Sequence, residues 1–131
     1  MGTKSNTIIK DKNGKILVNM YRQYDGYLSG HGAELKKEFG NTKIINGFSS
    51  EESPEFANGM GCLSAQIIAH FKKEIGEIYI VSPKKAENDY CYVLYLKKGD
   101  NKISVKVKCS DKIIYDGLLS EMPTEEGEEN E

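Results

Sequence analysis

A single arginine, Arg22, stands among 17 lysines. Lysine bias does not explain why one arginine remains, since its planar fork grips carboxylate or phosphate in a way lysine cannot copy. Arg22 lies in Tyr21–Gly32 (YRQYDGYLSGHG), where Tyr21, Tyr24 and Tyr27 recur every third residue beside Gln23, Asp25 and His31. Tyrosine rings stack on planar groups while their hydroxyls hydrogen-bond, and glycines let a ligand come close to the backbone. A second segment, Asn58-Gly59-Met60-Gly61-Cys62, opens an amphipathic helical pattern. Bare amides and the helix dipole favour an anion at such a start. No Gly-Lys-Ser/Thr and no G-x-G-x-x-G follows, so this is neither a P-loop nor a dinucleotide fingerprint. If the two segments meet, they suit a small anionic, nucleotide-like ligand. Arg22 would take a phosphate or carboxylate, with Gln23 beside it and Tyr24 and Tyr27 flanking the ligand. Asp25 would accept from a hydroxyl or orient His31, and Asn58, Gly59 and Gly61 would hold a second anionic group.

Each segment also has a plain structural reading. Tyr21–Gly32 could be a tight turn with tyrosines packed over a sheet, and Asn58 could cap a helix whose glycines permit close packing. An enzymatic alternative uses Cys62, whose thiol would be activated near a helix N-terminus, with His31 as base and Asp25 as orienter. That would be a small cysteine-dependent hydrolase or transferase. The signatures of cysteine hydrolases are absent, and a buried, inert Cys62 is the ordinary expectation, so catalysis is not expected. His31, Asp25 and His70 lack metal-site spacing, and neither a metal nor a cofactor is expected. A third reading makes the tyrosine loop a protein-interaction surface. Lys106 and Lys108 with Tyr90, Tyr92 and Tyr95 could suggest single-stranded nucleic acid, but strand alternation explains the lysines as a solvated face, and nucleic acid is not an expected partner.

Elements that would position these residues follow from periodicity. Strands are expected over Asn6–Lys10 and Lys15–Gln23, joined by an Asn13-Gly14 turn, with Ile16, Val18, Met20 and Arg22 on one face. Tyr24–Gly32 reads as loop and Ala33–Phe39 as a short helix closed by Gly40. Lys43–Phe48 reads as extended, with a turn at Asn46-Gly47, and Ser53-Pro54-Glu55 resembles a helix start. Gly59–Ile75 is the clearest helix, with Leu63, Ile67, Phe71 and Ile75 as its stripe. Strands follow over Glu77–Val81, Asp89–Lys97, Lys102–Cys109 (Ile103, Val105 and Val107 inward; Ser104, Lys106 and Lys108 outward) and Lys112–Tyr115. The expected fold is α+β: an antiparallel sheet of about six strands, made of the N-terminal hairpin and a C-terminal meander, packed against two helices.

The chain has 131 residues, 38% hydrophobic and 29% charged, which suits one globular domain. Residues 1–118 are expected to form it, with 119–131 an acidic, disordered tail. Glu121–Glu131 hold six glutamates and no basic residue, leaving 18 basic against 14 acidic residues in positions 1–120 beneath the net −2. A mildly basic body attracts small anions but falls short of the usual duplex-binding profile. No apolar run approaches a membrane span, and Met1–Lys10 lacks a signal peptide's apolar stretch. Cys62, Cys91 and Cys109 make an odd set without C-x-x-C spacing, which points to reduced thiols and a cytoplasmic setting. A core of this size leaves room for a homo-oligomer.

Around YRQYDGYLSGHG and NGMGC the chain resembles a family of short, uncharacterised phage and bacterial proteins. They open with Met-Gly-Thr-Arg-Ser and carry a YRQYDGYPSGHG-like segment, then an NGMGC-like segment before a helix ending in His-Phe-Lys. The matching stretches are Met1–Ile9, Tyr21–Leu35 and Asn58–Lys72, with Lys4 in place of Arg and Leu28 in place of Pro. The resemblance implies no particular reaction. It does imply a phage setting, in which small proteins often counter host defence, some by sequestering nucleotide signals; for a phage-encoded chain the cytoplasm would be the host's.

Overall fold

The computed structural model describes residues 2–46, 56–85 and 88–125. Strand β1 (Ser5–Lys10) and strand β2 (Ile16–Arg22) form the N-terminal hairpin. A turn of π-helix, Leu28–Gly32, leads into α1 (Ala33–Phe39). Short strands β3 (Lys43–Ile45) and β4 (Phe56–Asn58) precede α2 (Gly59–Phe71). Four strands follow: β5 (Ile78–Val81), β6 (Tyr90–Tyr95), β7 (Ser104–Cys109) and β8 (Lys112–Leu118), then a 3-10 turn at Leu119–Glu121.

The α+β class holds, and the main sheet has six strands in the order β5-β2-β1-β6-β7-β8. It is mixed rather than antiparallel, because β1 and β6 run parallel. Short connections join β1 to β2 and β7 to β8, and the loop 96–103 joins β6 to β7, but β5 lies on the far side of the hairpin from β6. The chain after Val81 must therefore cross two strands to start β6. A buried asparagine ladder pins that crossover to the sheet. Asn6 Nδ2 donates to Asn19 Oδ1 (2.8 Å), Asn19 Nδ2 donates to the Ser82 carbonyl (3.1 Å), and Asn88 donates twice to Asn6 Oδ1 (2.9 Å each). Asn6 and Asn19 are fully buried, so each amide must find a partner, and these bonds supply it. A second, two-stranded sheet pairs β3 with β4 in parallel.

Both helices cover one sheet face. Ile9, Met20, Tyr92, Leu94, Val105 and Val107 meet Leu35, Phe39, Leu63, Ile67 and Phe71 there. Each large side chain buried in this way stabilises by about 1.5–3 kcal/mol relative to exposure. Leu119 and Met122 are fully buried in the same core, so the packed body extends past the expected boundary at residue 118. The inward set Ile103, Val105 and Val107 is buried as the alternation required, but Ser104 on the other face is fully buried too.

Three sequence expectations shift for local reasons. Ile16 leaves the face of Val18 and Met20, because the β1–β2 register slips between Ile9 and Lys10. It packs instead with Ile8, Cys91 and Val93 on the opposite face. The stripe of α2 ends at Phe71, not Ile75, since Lys72 is already extended and Ile75 is 99% exposed. Lys72 Nζ then donates to the carbonyls of Gly76 and Ile78 (2.9 Å each), on the side of β5 turned away from β2. Part of Tyr24–Gly32 is helical, as a π turn. The expected turn at Asn46-Gly47 and helix start at Ser53-Pro54-Glu55 fall on or beside residues 47–55, outside the described residues.

Candidate anion-binding site

Arg22 ends β2 on the helix-facing side and points into the structure, with its side chain 11% exposed. Its Nη1 donates to His31 Nδ1 (3.1 Å) and, more weakly, to Glu34 Oε1 (3.5 Å). Its guanidinium lies over the Phe71 ring at 5.6 Å, a cation–π contact. Glu77 Oε2 stands 3.7 Å from Nε. Glu34 Oε2 accepts from His70 Nε2 at 2.8 Å. Nη1 is thus engaged by groups of its own chain, while Nε is buried without a hydrogen bond and has only Glu77 at ion-pair distance.

His31 is fully buried between Phe71 and Tyr92. An arginine can only donate, so Nδ1 must be the bare acceptor, and Nε2–H donates to Thr7 Oγ1 at 2.7 Å. A second ring proton would have to sit against the guanidinium. Burial, and then the charge of Arg22, push His31 down to about 3. The ring is held neutral with both nitrogens engaged, which leaves no lone pair for a general base.

The surrounding loop is packed for the same end. Gly26 and Gly30 are required by their neighbours: a Cβ on Gly26 would meet Ser5 Cβ at 2.7 Å, and one on Gly30 would meet the Asp25 carbonyl at 2.6 Å. Tyr92 donates its hydroxyl to the Gly26 carbonyl (2.8 Å). Asp25 adopts φ 61° and accepts from the Tyr27 hydroxyl (3.2 Å). Its carboxylate is not among the two groups that bond the His31 ring. Tyr24 is half exposed beside Gly2. Tyr21 and Gln23 face the opposite side of the sheet from Arg22, where they line a hollow with Tyr79, Val81, Lys85 and Asn88.

The second segment is built in the opposite way. Gly59 turns the chain from β4 into α2 with φ +87°, and a Cβ on Gly59 or Gly61 would meet nothing within 4 Å. Packing therefore does not demand Gly61. Asn58 makes no side-chain capping bond to the helix, and the first amides of an α-helix have no partner within the helix itself. Gly59, Met60 and Gly61 line a groove of about 440 Å³ with Lys12, Asn13, Asn46 and an apolar wall of Leu17, Ile44 and Leu96. Cys62, expected to be buried, is exposed, and its thiol donates to Gln66 Oε1 at 3.3 Å.

The two segments do not meet. His31 and Arg22 pack on Phe71, the last residue of α2, whereas Gly59 is its first. Twelve residues at 1.5 Å per residue put them about 18 Å apart along the helix. Cys62 and His31 are separated in the same sense, so the structure does not assemble a cysteine–histidine pair. The lysine–tyrosine face also divides: Tyr92 lies in the core, while Val93 and Cys91, opposite Lys106 and Lys108, look the other way.

Lys12 joins the α2 groove to two others. One, of about 540 Å³, is lined by Lys97, Lys98, Gly99 and Asp100; the other, of about 330 Å³, by Lys10, Tyr95, Lys106 and Asp116. Leu96 lines all three. The carboxylates here accept hydrogen bonds through Oδ1. Asp11 accepts from the amides of Asn13 and Lys15, Asp100 from that of Lys102, and Asp116 from the Tyr95 hydroxyl. Burial, and then that Asp116 bond, push Tyr95 up to about 12. Among the described residues, none of these five lysines joins an ion pair.

No protein-family model, curated protein or solved structure matches the chain. Among the described residues no cluster of three metal-ligating side chains occurs, and no helix is long and apolar enough to cross a membrane. Sequence reasoning passed over Thr7, Glu34 and the asparagine ladder, whose partners lie 12 to 82 residues away. It also passed over Lys12, whose place in a turn beside Asn13-Gly14 carried no chemical signal.

Proposed function

We propose that this protein is a non-catalytic binder of a small anionic, nucleotide-derived ligand held at the N-terminus of α2. The observation that carries the reading is the groove of about 440 Å³ at the start of α2, which holds Lys12 and leaves room for a side chain at both Gly59 and Gly61. Amides at a helix start donate to phosphate oxygens, Lys12 adds a charge, and Asn13 and Asn46 add hydrogen-bonding amides. The apolar wall suits the ring of a base, and about 440 Å³ lies within the range of small-ligand sites. Arg22, Tyr24, Tyr27 and His31 drop out of the ligand set in this reading and become the frame of the fold. The resemblance to phage proteins supports a cytoplasmic setting in a host cell, where such a binder would withdraw a signal nucleotide from its receptor.

Titration calorimetry against pyrophosphate, AMP and cyclic dinucleotides tests this. Lys12→Ala should weaken binding at least tenfold. Gly61→Glu should abolish it while leaving the helix intact, since the site has room for a side chain and an acid in the first turn suits the dipole. Absence of binding by every probe, or unchanged affinity in both variants, would sink the reading.

A further inference from the structure

The α2 groove is one part of a longer feature. From Lys12 and Leu96 one branch runs to Lys97 and Lys98 in the β6–β7 turn, and another to Lys10 and Lys106 on the sheet face away from the helices. The result is a trough wrapped around the hairpin-tip end of the sheet, each part of it as large as a single small-ligand pocket. A lone phosphate or mononucleotide would use one third of it and leave four of its five lysines uncontacted. Asp11, Asp100 and Asp116 line the same hollows and are hydrogen-bonded through Oδ1, so the five lysines outnumber the carboxylates by two. Tyr95 is the one aromatic side chain among the described residues lining the trough, so stacking could hold a single base at most.

We infer that the trough takes a linear chain of phosphates, with one anionic group at the α2 amides and Lys12 and further groups at Lys97–Lys98 and at Lys10–Lys106. The inference rests on the anion-binding reading of the α2 groove and extends it from a single group to a chain. Two sources share this chemistry, the backbone of a single-stranded oligonucleotide and inorganic polyphosphate. In either case the lysines read charge spacing and not base identity.

Fluorescence anisotropy with the full chain and 5′-fluorescein-labelled dT10, between 50 and 200 mM salt, provides the test. Neutralising about three phosphates should give a slope of log K against log salt near −2, since each single-strand contact contributes about 0.7. AMP should bind at least tenfold more weakly. Lys98→Ala and Lys106→Ala, at opposite ends of the trough, should each flatten the slope by about 0.7 and leave AMP binding unchanged. Labelled dA10 should match dT10. Displacement of dT10 by polyphosphate at equal phosphate concentration would identify a bare phosphate chain as sufficient; weaker displacement would assign a share to the sugar. The inference is overturned if AMP binds while dT10 and polyphosphate bind no tighter, or if both lysine variants keep the full slope. If neither AMP nor either chain binds, the reading of the α2 groove falls as well.

Discussion

Two glycine-bearing segments flank this fold's chemistry, and they use the same residue for opposite ends. In Tyr21–Gly32 the glycines are forced by neighbours: the chain's own backbone fills the space a side chain would take at Gly26 and Gly30. In Asn58–Cys62 the space at Gly59 and Gly61 is open. The first segment turns inward and assembles Thr7, His31, Arg22, Glu34 and His70 into a polar strut between sheet and helices. The second borders an open groove that also holds Lys12, which joins no ion pair among the described residues. Chemical richness thus marks the scaffold, and the plainer segment marks the candidate site.

The largest expected contrast is in acid. His31 is held neutral when folded but has an ordinary pKa when unfolded, so its contribution to stability is complete above about pH 6.5 and is lost as pH falls toward 3. Urea unfolding between pH 7 and 4 should show the folding constant falling by up to tenfold per unit, and a His31→Asn variant should lose most of that slope. A variant with undiminished slope would show that other groups dominate. Arg22→Ala should come next. It removes the donor to His31, the partner of Glu34 and the contact with Phe71, and should cost about 3 kcal/mol in chemical denaturation. Ligand affinity of the folded fraction should not change, because Arg22 stands at the other end of α2 from the groove.

The glycines give the smaller, sharper comparison. Gly30→Ala drives a methyl group into the Asp25 carbonyl and should destabilise by about 2 kcal/mol. Gly61→Ala should raise stability by up to about 1 kcal/mol, because alanine is the better helix former and nothing obstructs it. Thermal melts of the pair check this, and equal signs would break the contrast. The smallest effect concerns residues 126–131, which carry four glutamates. Truncation before Glu126 should tighten anion binding about twofold at low salt and have no effect at high salt, since it removes only screened, long-range repulsion.

Much of the fold was legible because it is local. Alternation placed Val18, Met20 and Arg22 on one face of β2, and the three-to-four periodicity placed Leu63, Ile67 and Phe71 on one face of α2. The bulge that turns Ile16 over carries no residue signature, and neither does the extended Lys72 that leaves Ile75 outside the helix. The parallel pairing of β1 with β6 was hidden for a different reason. Turn residues announce hairpins, but which edge of a finished hairpin a later strand joins is decided by tertiary packing, here secured by Asn6, Asn19 and Asn88. The site was only half legible. Asn58–Cys62 stood out, but whether a glycine is crowded or open depends on atoms distant in sequence, and so did the assumption that two conspicuous segments converge.

Lys72 has a consequence for how the molecule behaves in company. β5 is an outermost strand made only of Ile78, Tyr79, Ile80 and Val81, with Tyr79 and Ile80 well exposed. A margin of this kind templates the addition of another strand. The Lys72 ammonium occupies the Ile78 carbonyl that an incoming strand would need first, and it sets a charge beside the Tyr79 ring. One side chain therefore acts as a stopper against end-to-end polymerisation. Lys72→Met, which keeps the length and removes the charge, should convert a clear solution into one whose light scattering grows with time and concentration.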